Sequence, residues 1–482
     1  MRAGTVQTKI PARLDRLPWS RWHWRIVIGL GTVWILDGLE ITIVSAVAGR
    51  ITEPGSGLEL SASQVGLAAA IYISGAVAGA LFFGYLTDRY GRKKLFLITL
   101  ALYLAATTLT AFATSAWWFY ICRFFTGAGI GGEYAAINSA IDELIPARLR
   151  GRIALFINGS FWIGTACGAA LALVLLDTDI FPANLGWRLA FGLGAILGLG
   201  ILVVRRHVPE SPRWLYIHGR DKEAEVLVGE IEKEIEKETG RLLPEPAQSI
   251  TIRQRKSISF IMIATTMFTL YPKRAWLCFS LFVGQAFLYN AIFFTYVLVL
   301  TTFYNVPAGK APLYLIPFAI GNFLGPALLG PFFDTIGRRK MIAGTRILAG
   351  VLLTITGYLF TVGALTALTQ TICWMIIFFF ASASASAAYL TASEIFPVET
   401  RALAIAFFFA IGMTVGGISG PLVFGNLIET ASAANIFIGY MIGSALMIVG
   451  GLVEAFIGVD AEGKSLEDIA RPLTAQEGIV SR

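Results

Sequence analysis

Charge is scarce in this chain. Only 14% of its 482 residues are Asp, Glu, Lys or Arg, against a hydrophobic share of 56%, whereas an average soluble domain is about 25% charged. The net charge of +7 does not point to nucleic acid, because the basic residues cluster between apolar blocks, where they act as topology signals. Cysteine is scarce too: Cys122, Cys167, Cys278 and Cys373 all fall within apolar blocks. None has metal-ligand spacing, so neither a disulfide framework nor a metal centre is expected. No nucleophile–base set and no Walker loop is present, which argues against an enzyme, direct ATP coupling or a cofactor. The glycines at 127, 129, 131 and 132 follow no strand and read as helix-packing positions rather than a phosphate loop. Residues 1–25 are basic and lack an apolar core with a small-residue cleavage site. They read as a cytosolic arm, not a cleaved signal peptide.

Long hydrophobic runs are what the chain has in abundance. Twelve spans are expected at about 26–49, 64–87, 95–113, 117–141, 153–176, 187–204, 275–302, 312–333, 341–361, 365–391, 403–424 and 435–458, each near the length that crosses a hydrocarbon core of about 30 Å. The fold class is therefore an all-α membrane protein with two six-helix bundles, 26–204 and 275–458, a linker at 205–274 and a tail at 459–482. Nearly all of the 38 Lys and Arg fall on the arm, the tail and alternate connections. The opposite side holds only Arg50, Arg188 and Lys310, and the count leaves Arg123 as the only base inside a span. The positive-inside rule puts both termini and the linker in the cytosol. The linker stretch KEAEVLVGEIEKEIEK has acids and lysines at i,i+4 spacing and predicts short helices.

A repeat is visible in the loops. GYLTDRYGRKK (84–94) and GPFFDTIGRRK (330–340) share Gly, Asp, Gly and a basic cluster at one spacing, and ELIPARLRG (143–151) and EIFPVETRA (394–402) share Glu, Pro and Arg. Each motif occupies the same connection in its half, so the halves are parallel repeats, one of the known transporter plans.

With these motifs, RFFTGAGIGGEYAAINSAIDELIPARLRG (123–151), PESPRWL (209–215) and AEGKSLEDI (461–469), the chain resembles major facilitator superfamily transporters of the sugar-porter-like and metabolite:proton symporter branches. The resemblance implies alternating access around a central site. It implies that Asp37 and Arg123 couple transport to protons. It also implies a cytosolic gate of Asp88, Arg92, Glu143, Arg150, Glu210, Arg213, Asp334, Arg338, Glu394 and Arg401. The corresponding substrate positions here are Asn158, Thr165, Gln285, Asn290, Phe294 and Tyr389. Fewer amides and more bare rings than in sugar porters favour a planar, partly apolar metabolite over a hexose.

The acids expected to be buried are Asp37, Glu40 and Glu133. A charge at bilayer depth costs at least about 2.5–3.5 kcal/mol, so three acids set against one arginine call for a proton on at least one of them during the cycle. The expected function is a proton-coupled secondary transporter of a small organic acid or aromatic compound, monomeric and multi-pass in a plasma or bacterial inner membrane. A sugar transporter, a drug or metabolite exporter and a non-transporting sensor are the alternatives.

Overall fold

An apolar run can cross lipid only if its backbone groups are paired within the structure, as in a helix or a closed barrel. The chain takes the helical solution. The computed structural model describes residues 5–470 apart from 52–53, 61, 178, 206–209, 247–249, 254–264, 307–310 and 398–400. The side chains of Asp88, Arg92, Glu133 and Phe294 lie outside the described set as well.

The amino-terminal bundle comprises Arg21–Ile51, Ala62–Tyr90, Arg92–Thr110, Ala116–Leu144, a fifth span in two pieces, Arg150–Gly159 and Phe161–Leu175, and Ala183–Arg205. The carboxyl-terminal bundle comprises Pro272–Tyr304, Ala311–Thr335, Arg338–Thr361, Ala367–Glu394, an eleventh span of Arg401–Gly412 and Ile418–Glu429, and Ala433–Ile457. A π-helical turn, Met413–Gly417, joins the two parts of the eleventh span. Such turns interrupt the i→i+4 ladder and recur at functional sites.

Glycine contacts show that the halves repeat. A Cβ at Gly164 of the fifth span would sit 1.7 Å from Ile35 O of the first, and one at Gly416 of the eleventh 2.4 Å from Val283 O of the seventh. In the same way Gly131 of the fourth span meets Ala76 O of the second at 2.0 Å, and Gly325 of the eighth meets Phe379 O of the tenth at 1.9 Å. Only a residue without a side chain permits such approach. The run at 127–132 is thus used for packing: Gly127 presses on Tyr72 O and brings the fourth span against the second.

Outside the spans, the linker forms the short helices Pro212–Ile217 and Asp221–Thr239. The longer one carries Asp221 and Glu223 in its first turn and ends at Gly240 in the left-handed conformation, as the helix dipole and C-cap rules favour. Its buried stripe is Ala224, Val228, Ile231 and Ile235. The sequence reading expected helices alone here. The structure adds a strand pair, Thr5–Thr8 antiparallel to Ile250–Arg253, which ties the arm to the linker.

Arg13 and Arg16 strengthen that tie through Glu232, with N···O distances of 2.6 and 2.5 Å. Burial pushes the Glu232 carboxyl up, but the two guanidiniums outweigh it and hold the group below its ordinary value of 4.5. A depressed carboxylate contributes stability above the unfolded value and loses it as pH falls through the folded one. Hydrogen-exchange protection of residues 10–16 is therefore expected to stay level from neutral pH down through 4.5 and to drop only in stronger acid. Glu232→Gln should lower it already at neutral pH, and equal protection in the variant would refute the tie.

Candidate functional site

A cavity of about 210 Å³ lies between the bundles. Nine aromatic rings line it: Trp34, Tyr72, Phe161 and Trp162 from the amino-terminal half, and Phe282, Tyr289, Phe293, Tyr389 and Phe409 from the other. Among the described residues its polar lining is Asn158, Gln285, Asn290, Ser382, Ser386 and the tyrosine hydroxyls, with no charged side chain. Trp162 packs against the opposite half. Its ring lies 5.8 Å from that of Tyr289 and 6.1 Å from that of Phe293, both on the seventh span. Gln285 Oε1 is buried without a hydrogen-bond partner among the described residues, so it can accept from a bound molecule. Asn290 donates to Ala286 O at 2.7 Å, which leaves its amide oxygen to the cavity.

Of the expected substrate positions, Asn158, Gln285, Asn290 and Tyr389 line this cavity. Thr165 does not. It is fully buried, its backbone N lies 3.2 Å from a Cβ at Gly38, and its hydroxyl turns back to Phe161 O, because the glycine-mediated contact of the first and fifth spans swallows that face. Phe294 lies outside the described residues. Most of the rings were missed from sequence. Trp34 carried a usable signal: it precedes Asp37 by three residues and shares its helix face.

Behind Tyr72 lies a buried ionic site. Arg123 Nη1 pairs with Glu40 Oε1 at 2.9 Å, with side-chain exposures of 2% and 1%. Thr107 Oγ1 donates to the same oxygen at 3.4 Å, and Arg123 Cζ stands 4.7 Å from the Tyr72 ring centroid. Asp37 is fully buried one turn before Glu40. The sequence reading joined Arg123 to Asp37; the ion pair in this structure is with Glu40. Tyr72 touches both the arginine and the cavity, so it links the two. The side chain of Glu133 lies outside the described residues.

A second base lies within a span, against the sequence count. Arg346, grouped there with the loop cluster 338–340, sits inside Arg338–Thr361 and is fully buried. The span expected at 341–361 already contains Arg346, so its grouping with the neighbouring loop cluster is an error of that count.

The two halves are fastened at the face that carries the basic loops. Arg150 reaches Glu394 across the interface at 3.4 Å, and Arg401 reaches Glu143 at 3.4 Å, all four fully buried. Glu394 also holds Arg338 at 3.1 Å, and Arg338 holds Asp334 at 2.7 Å. The Asp334 carboxylate accepts from Gly151 N and Arg152 N at 3.0 and 2.7 Å; it caps the fifth span of the opposite half, where a carboxylate also suits the helix dipole. Ser211 Oγ bonds Glu143, and Asp15 of the arm pairs with Arg150 and Arg213 at 3.5 and 3.4 Å.

The duplicated turn motif works the same way twice. Gly91 and Gly337 take φ of 100° and 114°, which only glycine adopts cheaply. The bared helix starts then receive a carboxylate: Glu210 accepts from Lys93 N at 3.2 Å, and Glu462 from Arg338 N at 3.3 Å. Glu462 was not foreseen in this role. Asp88 and Arg92, expected in the gate, lie outside the described residues.

Comparison with known proteins agrees with this architecture. Residues 30–473 match the model of the family described as "Sugar (and other) transporter". The niacin transporter NiaP of Acinetobacter baylyi is 26% identical over 461 residues, covering 95% of this chain and 99% of that protein. The inner membrane metabolite transport protein YdjE of Escherichia coli is 25% identical over 481 residues, covering 96% and 98%. The proton:xylose symporter XylE, solved with 6-bromo-6-deoxy-D-glucose, superposes with a TM-score of 0.76 at 19% identity, covering 93% of this chain and 98% of that one. Twelve spans in two repeated bundles, a central cavity and a family match over most of the length identify the chain as a multi-pass membrane protein of the sugar (and other) transporter family, within the major facilitator superfamily.

Proposed function

We propose that this chain is a proton-coupled symporter of a small, planar organic metabolite, working by alternating access. The cavity carries the reading: nine rings and three amides, with a buried carboxylate–arginine site one ring away. Flat apolar faces favour an aromatic cargo, and Gln285 and Asn290 supply its few directed hydrogen bonds. The name of the niacin transporter similar to this chain supports a pyridine of that kind. Asp37, Glu40 and Glu133 are the acids that take and release the proton, Arg123 controls when they ionise, and the interface pairs around Glu394 and Glu143 act as the gate on the cytosolic face, where both termini also lie. The protein acts as a monomer in the bacterial inner membrane. The second reading, a sugar, is favoured by the three amides and by the family's description.

A thermal-shift comparison of purified protein with nicotinate, nicotinamide and xylose separates these readings. A ligand at 100 times its Kd stabilises the folded state by about 2.7 kcal/mol. One of the pyridines should raise the Tm and xylose should not; the reverse outcome would make the protein a sugar carrier. Gln285→Ala should weaken the stabilising ligand about tenfold, the effect of one lost hydrogen bond of about 1.4 kcal/mol. An unchanged affinity would remove Gln285 from the site.

A further inference from the structure

The carboxyl-terminal half contains an ionisable pair with no part in the cavity or the gate. Arg346 in the ninth span and Glu454 in the last turn of the twelfth are both fully buried. They lie outside ion-pair distance of each other, since no salt bridge joins them. Neither oxygen of Glu454 has a hydrogen-bond partner among the described residues, and neither do Nε and Nη1 of Arg346. Among the described residues, Arg346 makes one hydrogen bond, from Nη2 to Leu281 O of the seventh span at 2.7 Å. In an α-helix that carbonyl, four residues before Gln285, is the acceptor for the Gln285 amide. The guanidinium therefore grips the seventh span at the turn that presents Gln285 to the cavity.

Two glycines make room for this. A Cβ at Gly450 would stand 3.0 Å from Arg346 Nη1, and one at Gly284 3.5 Å from it. Gly450 lies one turn before Glu454 on the same helix face, so the arginine faces an open strip that leads to the carboxyl. The charged and titratable groups that face Glu454 are Arg346 and Arg339 from the ninth span, Cys278 from the seventh and Asp460 from the segment after the twelfth; Tyr289 faces Arg346. The Arg339 guanidinium is engaged with Ala455 O, which leaves Arg346 as the cation able to move.

We propose that Glu454 is a second proton-binding site and that Arg346 reads its charge and passes it to the seventh span. A buried ionised carboxylate with no donor is untenable, so the geometry seen here is that of the protonated acid, with Arg346 left to Leu281 O. When the proton leaves to water at the basic face, the carboxylate draws Arg346 across the Gly450 strip. Leu281 O loses its second donor, and the turn under Gln285 loosens. Arg346 is thus a positioning residue for Gln285 and touches no substrate. The inference does not depend on the identity of the cargo.

Hydrogen exchange on the purified full-length chain tests it without a ligand. Protection of residues 281–290 is followed from about pH 5 to about pH 9 and corrected for the intrinsic pH dependence of exchange. Wild type should lose at least about tenfold in protection as the pH rises. Glu454→Gln should keep the high, acid-side protection at every pH. The double variant Arg346→Met/Glu454→Gln leaves no buried charge at this site at any pH, so it carries no penalty for an unpaired one, and it should show low protection at every pH. Protection that is flat with pH in wild type, or a pH dependence that survives in Glu454→Gln, would overturn the proposal.

Discussion

Vesicles carrying Asp37→Asn are expected to exchange substrate at a near-normal rate yet fail to concentrate it. A wild-type carrier moving one proton per cargo molecule can reach about 100-fold accumulation under a two-unit pH gradient, since each unit is worth a factor of ten; the variant should stay near one. The reason lies in the charge count around Tyr72. Two carboxylates on one face of the first span share one arginine among the described side chains, and all three groups are buried. One arginine can balance only one of the two carboxylates, and Glu40 is within ion-pair distance of it in this structure, so a proton is what lets the other acid stay neutral at this depth. Asparagine imitates the protonated form at position 37. It permits the loaded carrier to change sides but leaves nothing to release, so exchange persists and the driving step is lost. Glu40→Gln has a different consequence. It strips the partner from a buried guanidinium, and the loss of one member of such a pair costs about 3–5 kcal/mol, so that variant should lose folded protein before it loses coupling. Concentrative uptake by Asp37→Asn would move the coupling role to Glu40 or Glu133, or away from protons.

Spans, repeat and polarity of the loops were legible in the sequence because each rests on a local pattern: apolar length, a duplicated motif, a run of basic residues. Even so, the first span begins at Arg21 rather than near 26, and the seventh at Pro272 rather than 275, since helices continue into the headgroup layer where hydropathy no longer marks them. The site was half legible. Gln285, Asn290, Asn158 and Tyr389 could be named because they stand at positions matching those of the family the chain resembles, whereas Trp162, Tyr289 and Phe293 look like any lipid-facing ring until the tertiary packing turns them inward. The same limit hid Thr165 against Gly38 and the ion pair of Arg123 with Glu40: residues 37 and 40 are one helical turn apart, and the docking of the fourth span sets their distances to the arginine. Arg346 and Glu454 are separated by more than a hundred residues, and no periodicity joins them.

Glu394→Gln should open the basic face. Glu394 is fully buried and serves two arginines, Arg338 from its own half and Arg150 from the other. Their fates differ when the charge is removed. Arg338 keeps Asp334 at 2.7 Å in either arrangement. Arg150 is left enclosed beside a neutral amide while the halves stay closed, with only the more distant Asp15 to offset it, and it regains water when they part. The variant therefore raises the energy of the closed arrangement alone. One-sided removal from a buried pair costs about 3–5 kcal/mol, and about 5.5 kcal/mol carries a two-state equilibrium from 1:99 to 99:1, so a carrier held mostly closed should become mostly open. Spin labels at Arg89 and Ile336, both exposed on the turn motifs of opposite halves, report the separation directly. Their distance distribution should move to longer values in Glu394→Gln. It should not move in Glu223→Gln, where the pair with Arg220 is exposed and contributes about 0–1 kcal/mol at most. If both variants keep the wild-type distribution, the buried pairs at this face do not set the balance between the two arrangements. The closure would then rest on the apolar contact between the fifth and eighth spans, where Gly159 meets Pro326.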